Sequence, residues 1–317
     1  MAILSAGATF APSSGALLAA APAAVTAARA DTAPDSLTAT PSDRSVSEAA
    51  GVELRFLDSL VGRSGKLRAR FLGLSAGSAF PALALLFGDT VATKPGLYAL
   101  RAAARPFAFI TKRPFADKIA GRVGAYRMGY WPFERRAPSN AAYANPEGFI
   151  EVTAANQDTY VSEHFRLRDF LTHDQQAVWP KYLVLDERLL DKLELMIAEL
   201  EAAGIRASHV SVMSGFRTPQ YNAPGVRAGG RAATSRHQYG DAADVFVDND
   251  RNGRMDDLNR DGRVDTRDAA VLLRAVERVE RTHPELIGGV GVYPATRAHG
   301  PFAHIDARGH GARWGEE

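Results

Sequence analysis

"DERLLDKLELMIAELEAAGIRASHVSVMSGF", residues 186–216, changes its period once, and that change decides the fold. In its first part Leu189, Leu193, Met196, Ile197 and Leu200 recur at helical spacing and form one apolar face. Asp186 stands where an N-cap belongs, and Gly204 ends the pattern. Past Ala207 the spacing falls to two, with Val210, Val212 and Ser214 alternating as in a half-buried strand.

The same alternation of element types continues downstream. "DAADVFV" (241–247) reads as a second, buried strand, and "TRDAAVLLRAVERVERT" (266–282) as a second helix with Leu272, Leu273, Val276 and Val279 inward. "GGVGVYP" (288–294) and "PFAHID" (301–306) are two more short strands. Helices and strands without a strand–helix–strand rhythm predict an α+β fold, a small antiparallel sheet flanked by helices. We place this domain at 156–317, with "VSEHFRLRDFL" (161–171) as a short capped segment near its start.

Upstream the texture is different. "GLYAL" (96–100), "FAFIT" (107–111), "GRVGAYRMGYWPF" (121–133) and "GFIEVT" (148–153) are short runs broken by Gly, Pro and Asn, and predict a small β-rich domain over 51–155. Tyr130, Trp131 and Phe133 are read as core. Residues 31–50, rich in Ser, Thr, Pro, Asp and Ala, read as a linker. Residues 1–30 are a signal-like or disordered segment: Ala28-Arg29-Ala30 has the form of an export cleavage site, but no Lys or Arg precedes Arg29.

Composition narrows the chemistry. There is no cysteine, so disulfides, thiolate zinc sites and cysteine nucleophiles are excluded. A net charge of +2, with no dense basic run, gives no reason to expect nucleic acid. No apolar run reaches the ~18–20 residues of a membrane-spanning helix. Any transition metal must therefore be held by His, Asp or Glu.

Such a set is present. His237-x-x-Gly240-x-Ala242-x-Asp244 places a histidine in a turn and an aspartate at the start of a strand. Gly240 lets the turn pass close, and Ala242 keeps the approach open. A hydrolytic zinc takes three protein ligands and leaves one position for water, and His304 on a later strand is a candidate third. Water on such an ion has its pKa lowered towards ~7.

"S-x-H-x-x-G-x-A-x-D", with "SGFR" before it and "HID" after it, resembles the zinc D-alanyl-D-alanine carboxypeptidases and related murein endopeptidases, peptidase M15-like proteins. The resemblance covers roughly residues 160–317, from "VSEHFRLRDFL" to "GGVGVYP…FAHID…ARW". It implies zinc on His237, Asp244 and His304, and peptidoglycan peptides as partners of an exported, periplasmic or cell-envelope enzyme. Arg217 matches the arginine that this family sets near the substrate carbonyl or carboxylate, where a guanidinium stabilises an oxyanion. The general base departs from the pattern. Some members have Glu three residues before the last histidine, where Pro301 stands; others have His two before, where Phe302 stands. The remaining candidates are Asp306, ranked first, whose position fits equally an acceptor that holds an imidazole in its tautomer instead of a base, and His299.

Behind Asp244 lies an acidic repeat. "DNDRNGRMD" (248–256) is followed directly by "DLNRDGRVD" (257–265). The second copy, Asp257, Asn259, Asp261, Arg263 through its backbone carbonyl, Asp265 and Asp268, has the spacing of an EF-hand loop and runs into a helix. The first offers Asp248, Asp250, Asn252 and Asp256 as a possible second site. We read 248–268 as an EF-hand- or dockerin-like insertion holding structural Ca²⁺. Two other functions fit parts of this pattern: a non-catalytic peptidoglycan-binding module that keeps the peptidase fold, and a calcium-dependent interaction protein.

Overall fold

The computed structural model describes residues 28–29, 60–74, 88, 93–100 and 107–315. The signal-like segment and the linker lie outside the described residues, apart from Ala28–Arg29. The architecture is α+β, built on two sheets.

The first sheet contains β1 (Ala28–Arg29), β2 (Arg70–Gly73), β3 (Gly96–Leu100), β4 (Phe107–Pro114), β7 (Gly148–Val152) and β8 (Lys181–Leu183). Its order is β1-β3-β4-β7-β8, with β2 running parallel beside β4. Between β4 and β7, "GRVGAYR" forms a separate hairpin of β5 (Arg122–Val123) and β6 (Tyr126–Arg127). The expected change of texture near 155 does not interrupt the packing. β8 pairs with β7, and one apolar cluster runs from Ala69 through Phe149 to Ile305. Of the three aromatics read as core, Trp131 is buried and Phe133 partly so, but Tyr130 is 53 % exposed.

The second sheet contains β9 (Val210–Ser214), β10 (Ala242–Val247), β11 (Gly289–Tyr293), β12 (Phe302–Asp306) and β13 (Ala312–Trp314), in the order β13-β11-β12-β10-β9. All pairings are antiparallel except β11 with β13. The helices are α1 (Glu187–Ala202), α2 (Pro219–Arg227) and α3 (Thr266–Thr282). α1 is capped by Asp186, which accepts from Arg188 N, and buries the expected Leu189, Leu193, Met196, Ile197 and Leu200. α1 packs on α3, and α3 on β11 and β12. Among the described residues no helix is long and apolar enough to cross a membrane.

Period two gives the second sheet two different faces. Val245, Val247, Val290, Val292, Ala303 and Ile305 enter the core. On the other face, Trp314, Gly291, His304, Asp244 and Ser214 stand in one cross-strand row. Ser214 joins this row through a β-bulge. Asp244 pairs with Ser214 but Val245 pairs with Val212, so Met213 is the extra residue. Simple alternation puts Ser214 with Val210 and Val212; one inserted residue turns it to the opposite face.

Candidate metal centre

His237 sits in a 3-10 turn, Arg236–Tyr239, and is buried. One close approach and two hydrogen bonds hold that turn. Gly240 has φ +74°, and a Cβ there would lie 2.3 Å from Val184 O. Trp131 Nε1 donates to Gln238 O at 2.8 Å, and Arg236 donates to Ala142 O at 2.6 Å. Residues 131–142 therefore brace the ligand turn from the N-terminal side. Arg236 also forms a buried ion pair with Asp241.

Three atoms converge. His237 Nε2 lies 3.2 Å from Asp244 Oδ1 and 3.1 Å from His304 Nδ1, and His304 Nδ1 lies 2.9 Å from Asp244 Oδ1. Ligands about 2.0–2.1 Å from a tetrahedral zinc stand roughly 3.3 Å from one another, so the set is slightly contracted. Each ligand is also held from behind. His237 Nδ1 is 2.7 Å from Gly215 O, which can only accept, so Nδ1 carries the proton and Nε2 a lone pair. His304 Nε2 faces Asp306 Oδ2 at 3.1 Å, leaving Nδ1 towards the cluster. Asp244 Oδ2 accepts from the Arg217 guanidinium, whose Nε donates to Ser214 Oγ at 2.8 Å.

Two imidazole lone pairs and a carboxylate aimed at one point repel unless a cation or proton lies among them. Burial opposes charging His304, but hydrogen bonds to Asp244 and Asp306 outweigh it and raise its pKa to about 9. Burial lowers His237, against the pull of Asp244. Asp244 is held well below the usual carboxylate range, because the two histidines outweigh its burial. The site is built for positive charge at its centre.

The cluster opens into a cavity of about 270 Å³. Its walls include Tyr143, Arg217, Arg231, Tyr293, Phe302 and Trp314. Tyr293 stacks on Phe302, with ring centroids 4.7 Å apart and planes 6° from parallel. Trp314 crosses β11 at Gly291, where a Cβ would lie 2.0 Å from its Nε1, and donates to Tyr293 Oη at 2.9 Å.

Neither expected general base reaches this cavity. Asp306 is fully buried, and its carboxylate accepts from Gly289 N, Arg308 N, the Arg308 side chain and His304 Nε2. It stands behind His304 and orients it. His299 lines a different cavity, together with His173 and Met255, and its Nδ1 faces Gly300 O. Asp244 is the one carboxylate lining the first cavity among the described residues. Sequence reasoning missed Ser214, Tyr293, Trp314 and Arg308. Only period two from His304 signalled the face that Phe302 and Asp306 share with it.

The acidic repeat keeps its periodicity in the backbone. Arg251 and Arg260, at the fourth place of each copy, both have φ +60°, and Gly253 and Gly262, at the sixth, have +78° and +81°. The copies differ in their carboxylates. Asp248, Asp250 and Asp256 bring ligand atoms within 4.8 Å of one another. In the second copy, Asp268 is spent on the chain itself. It accepts from Leu258 N, Asn259 N and Asp265 N, completing a capping box with Asp265 at the start of α3. Asp261 and Asp265 both pair with Arg267. The expected ligand at position 12 is thus a helix cap, and the first copy is the one that gathers acids.

Residues 171–272 match the family model described as Peptidase M15. The matched segment carries Arg217, His237 and Asp244 and stops before His304. It supports an M15-like peptidase, a hydrolase of the metallopeptidase class. No curated protein and no solved structure matches the chain.

Proposed function

We propose that the chain is a zinc metallopeptidase acting on peptide bonds of peptidoglycan, in stem peptides or their cross-links. The observation that carries this reading is the convergence of His237 Nε2, His304 Nδ1 and Asp244 Oδ1, each oriented from behind by Gly215, Asp306 and Arg217. The donor set fits zinc: two neutral imidazoles, one carboxylate and no thiolate. Zinc held there would supply Lewis-acid activation of water and of the peptide carbonyl.

The chain's own residues supply the rest. Arg217 fixes Asp244 and lines the cavity, so its guanidinium is placed to stabilise negative charge developing on a substrate oxygen. Tyr293 Oη accepts from Trp314 Nε1, which leaves its own O–H for a group in the cavity. Asp306, tied to Arg308 and to the backbone, keeps His304 in the tautomer that presents Nδ1. Because the substrate lies outside the cell membrane, this reading carries export of the chain with it.

One observation favours a second reading. Among the described residues no free carboxylate lines the cavity to take a proton from water, and Pro301 and Phe302 occupy the places where related enzymes carry Glu or His. A peptidoglycan-binding module that kept the fold would look the same. Incubating the zinc-loaded protein with muropeptides and weighing the products separates the two. Hydrolysis products establish the peptidase. Retention of intact wall without products establishes the binding module, and neither activity overturns both readings.

The acidic repeat is proposed to hold structural calcium. Hard oxygen ligands at alternate positions, with glycine at the sixth, support this, and the grouping of Asp248, Asp250 and Asp256 favours the first copy over the second.

A further inference from the structure

The hairpin of β5 and β6 presents a charged face away from the metal cluster. Ile119 pairs with Arg122 across a tight turn, and Arg122 pairs in turn with Arg127. Residues directly opposite each other share a face of the ribbon, so Ile119, Arg122 and Arg127 stand in one row. All three are exposed, Ile119 by 75 %. Val123 and Tyr126, on the opposite face, are buried.

Arg122 and Arg127 are like charges placed directly opposite, an arrangement that weakens a hairpin. Nothing in the surroundings offsets it. The two acids of residues 115–136, Asp117 and Glu134, are paired with Arg113 and Lys118. Among the described residues Arg122, Arg127, Arg135 and Arg136 form no ion pair. The sequence holds no dense basic run, so it is the fold that gathers these charges.

An aromatic stands beside the row. Tyr130 is more than half exposed, and its ring lies on Gly121, where a Cβ would come within 3.2 Å of Tyr130 Cε2. Lys118 Nζ and the Arg135 guanidinium lie 4.7 Å and 5.6 Å from the centroid of that ring. The face is fixed to the body of the protein. Met128 N and Gly129 N both donate to Gly121 O at 2.9 Å, and Gln220 N, at the start of α2, donates to Met128 O at 2.9 Å.

We propose that Ile119, Tyr130, Arg122, Arg127, Arg135 and Arg136 form a face that docks the protein on an anionic lipid surface. A single exposed isoleucine is ordinary; this one shares a row with two uncompensated arginines. Guanidinium groups pair with lipid phosphates, and tyrosine suits the headgroup level. A soluble polyanion would satisfy the arginines but would leave Ile119 in water, whereas the boundary between headgroups and acyl chains takes both. The assignment does not depend on the peptidase reading, since none of these residues lines the metal-side cavity.

The test is cosedimentation of the purified chain with vesicles of phosphatidylcholine alone, or of phosphatidylcholine with phosphatidylglycerol. Wild type is expected on the anionic vesicles only, with binding that falls as salt rises. Arg122→Gln/Arg127→Gln should weaken it roughly 10–30-fold, at about fivefold for each basic side chain. Ile119→Ser should weaken it about tenfold, the effect of withdrawing one apolar side chain from the boundary. Arg127→Glu separates docking from folding. It makes the pair with Arg122 attractive, so the melting temperature should hold or rise while vesicle binding falls; a drop in both would make the pair structural and overturn the proposal. Binding unchanged in all three variants would place attachment elsewhere in the chain and overturn it too, as would equal binding to both kinds of vesicle or to neither. If Ile119→Ser binds as wild type does while the arginine variants fail, the face takes a polyanion and the lipid assignment falls.

Discussion

Asp306 Oδ2 lies 3.1 Å from Nε2 of His304, on the side of the imidazole that faces away from the metal cluster. That side decides what Asp306 does. A base must reach water in the cavity, and Asp306 reaches only a ring already used as a ligand, together with Arg308 and two backbone amides. Asp306→Asn is therefore expected to weaken zinc binding about 10–100-fold, as the loss of a partner behind a ligand does. Saturating zinc should then restore most of the turnover. Zinc titration followed by kinetics at saturation checks this; a rate that stays low with the metal fully bound would return Asp306 to the role of base.

The metal centre itself predicts a sharper pattern. Wild type is expected to hold close to one zinc per chain, and His237→Ala and His304→Ala should each lose it, which metal analysis reads directly. Arg217→Ala should keep the ion at saturating zinc but lose about 10²–10³ in rate, the usual effect of removing one preorganised donor. Full zinc in both histidine variants would remove the assigned ligands.

Much of this was legible in the sequence, for identifiable reasons. Regular periods marked α1, α3 and strands β9 to β12; one turn and one strand offered His237 and Asp244, and the family resemblance completed the set with His304, which the structure brings beside them. What escaped was whatever depends on a local break of period or on a distant partner. Ser214 is turned into the site by the bulge at Met213, which alternation alone cannot show. α2 carries Pro224 and Gly225 inside it, so no helical pattern announced it. β13 is three residues long and is set by Trp314 crossing Gly291. Asp268 has the spacing of a calcium ligand and the contacts of a helix cap, and only the contacts decide.

A half-buried pair away from the metal sets an acid limb of stability. Glu194 accepts from His164 N at 2.9 Å and faces His164 Nδ1 at 2.7 Å. Burial raises its pKa, but the bonds to His164 outweigh burial and leave it below its ordinary 4.5. A depressed folded pKa stabilises above the unfolded value and loses that contribution as pH falls through the folded one. Glu194→Gln should therefore cost about 1–3 kcal/mol at neutral pH, and the gap to wild type should narrow below pH ~4.5. Paired denaturant melts across that range check it; a gap independent of pH would mean that the charge contributes nothing.

The acidic repeat makes the last prediction, and the structure ranks its two halves. Asp248 is buried and accepts from Asn252 N, Gly253 N and Ser211 Oγ, while Asp250 and Asp256 stand close to it. Like charges gathered so closely repel unless a cation joins them. Calcium bound only by the folded chain stabilises it by about 2.7 kcal/mol at a hundredfold excess over Kd. Asp248 follows β10 directly, so ordering this loop also steadies the strand that carries Asp244. Millimolar calcium added to chelated, zinc-reloaded protein should raise the melting temperature. Asp250→Ala should remove most of that rise, whereas Asp261→Ala, in the copy whose acids are tied to Arg267 and to the helix cap, should leave most of it. Zinc content should hardly change in either variant, because the two ligand sets are distinct. A larger loss in Asp261→Ala would move the ion to the second copy, and a melting curve that calcium leaves unmoved would make the repeat a solvated loop braced by its own hydrogen bonds.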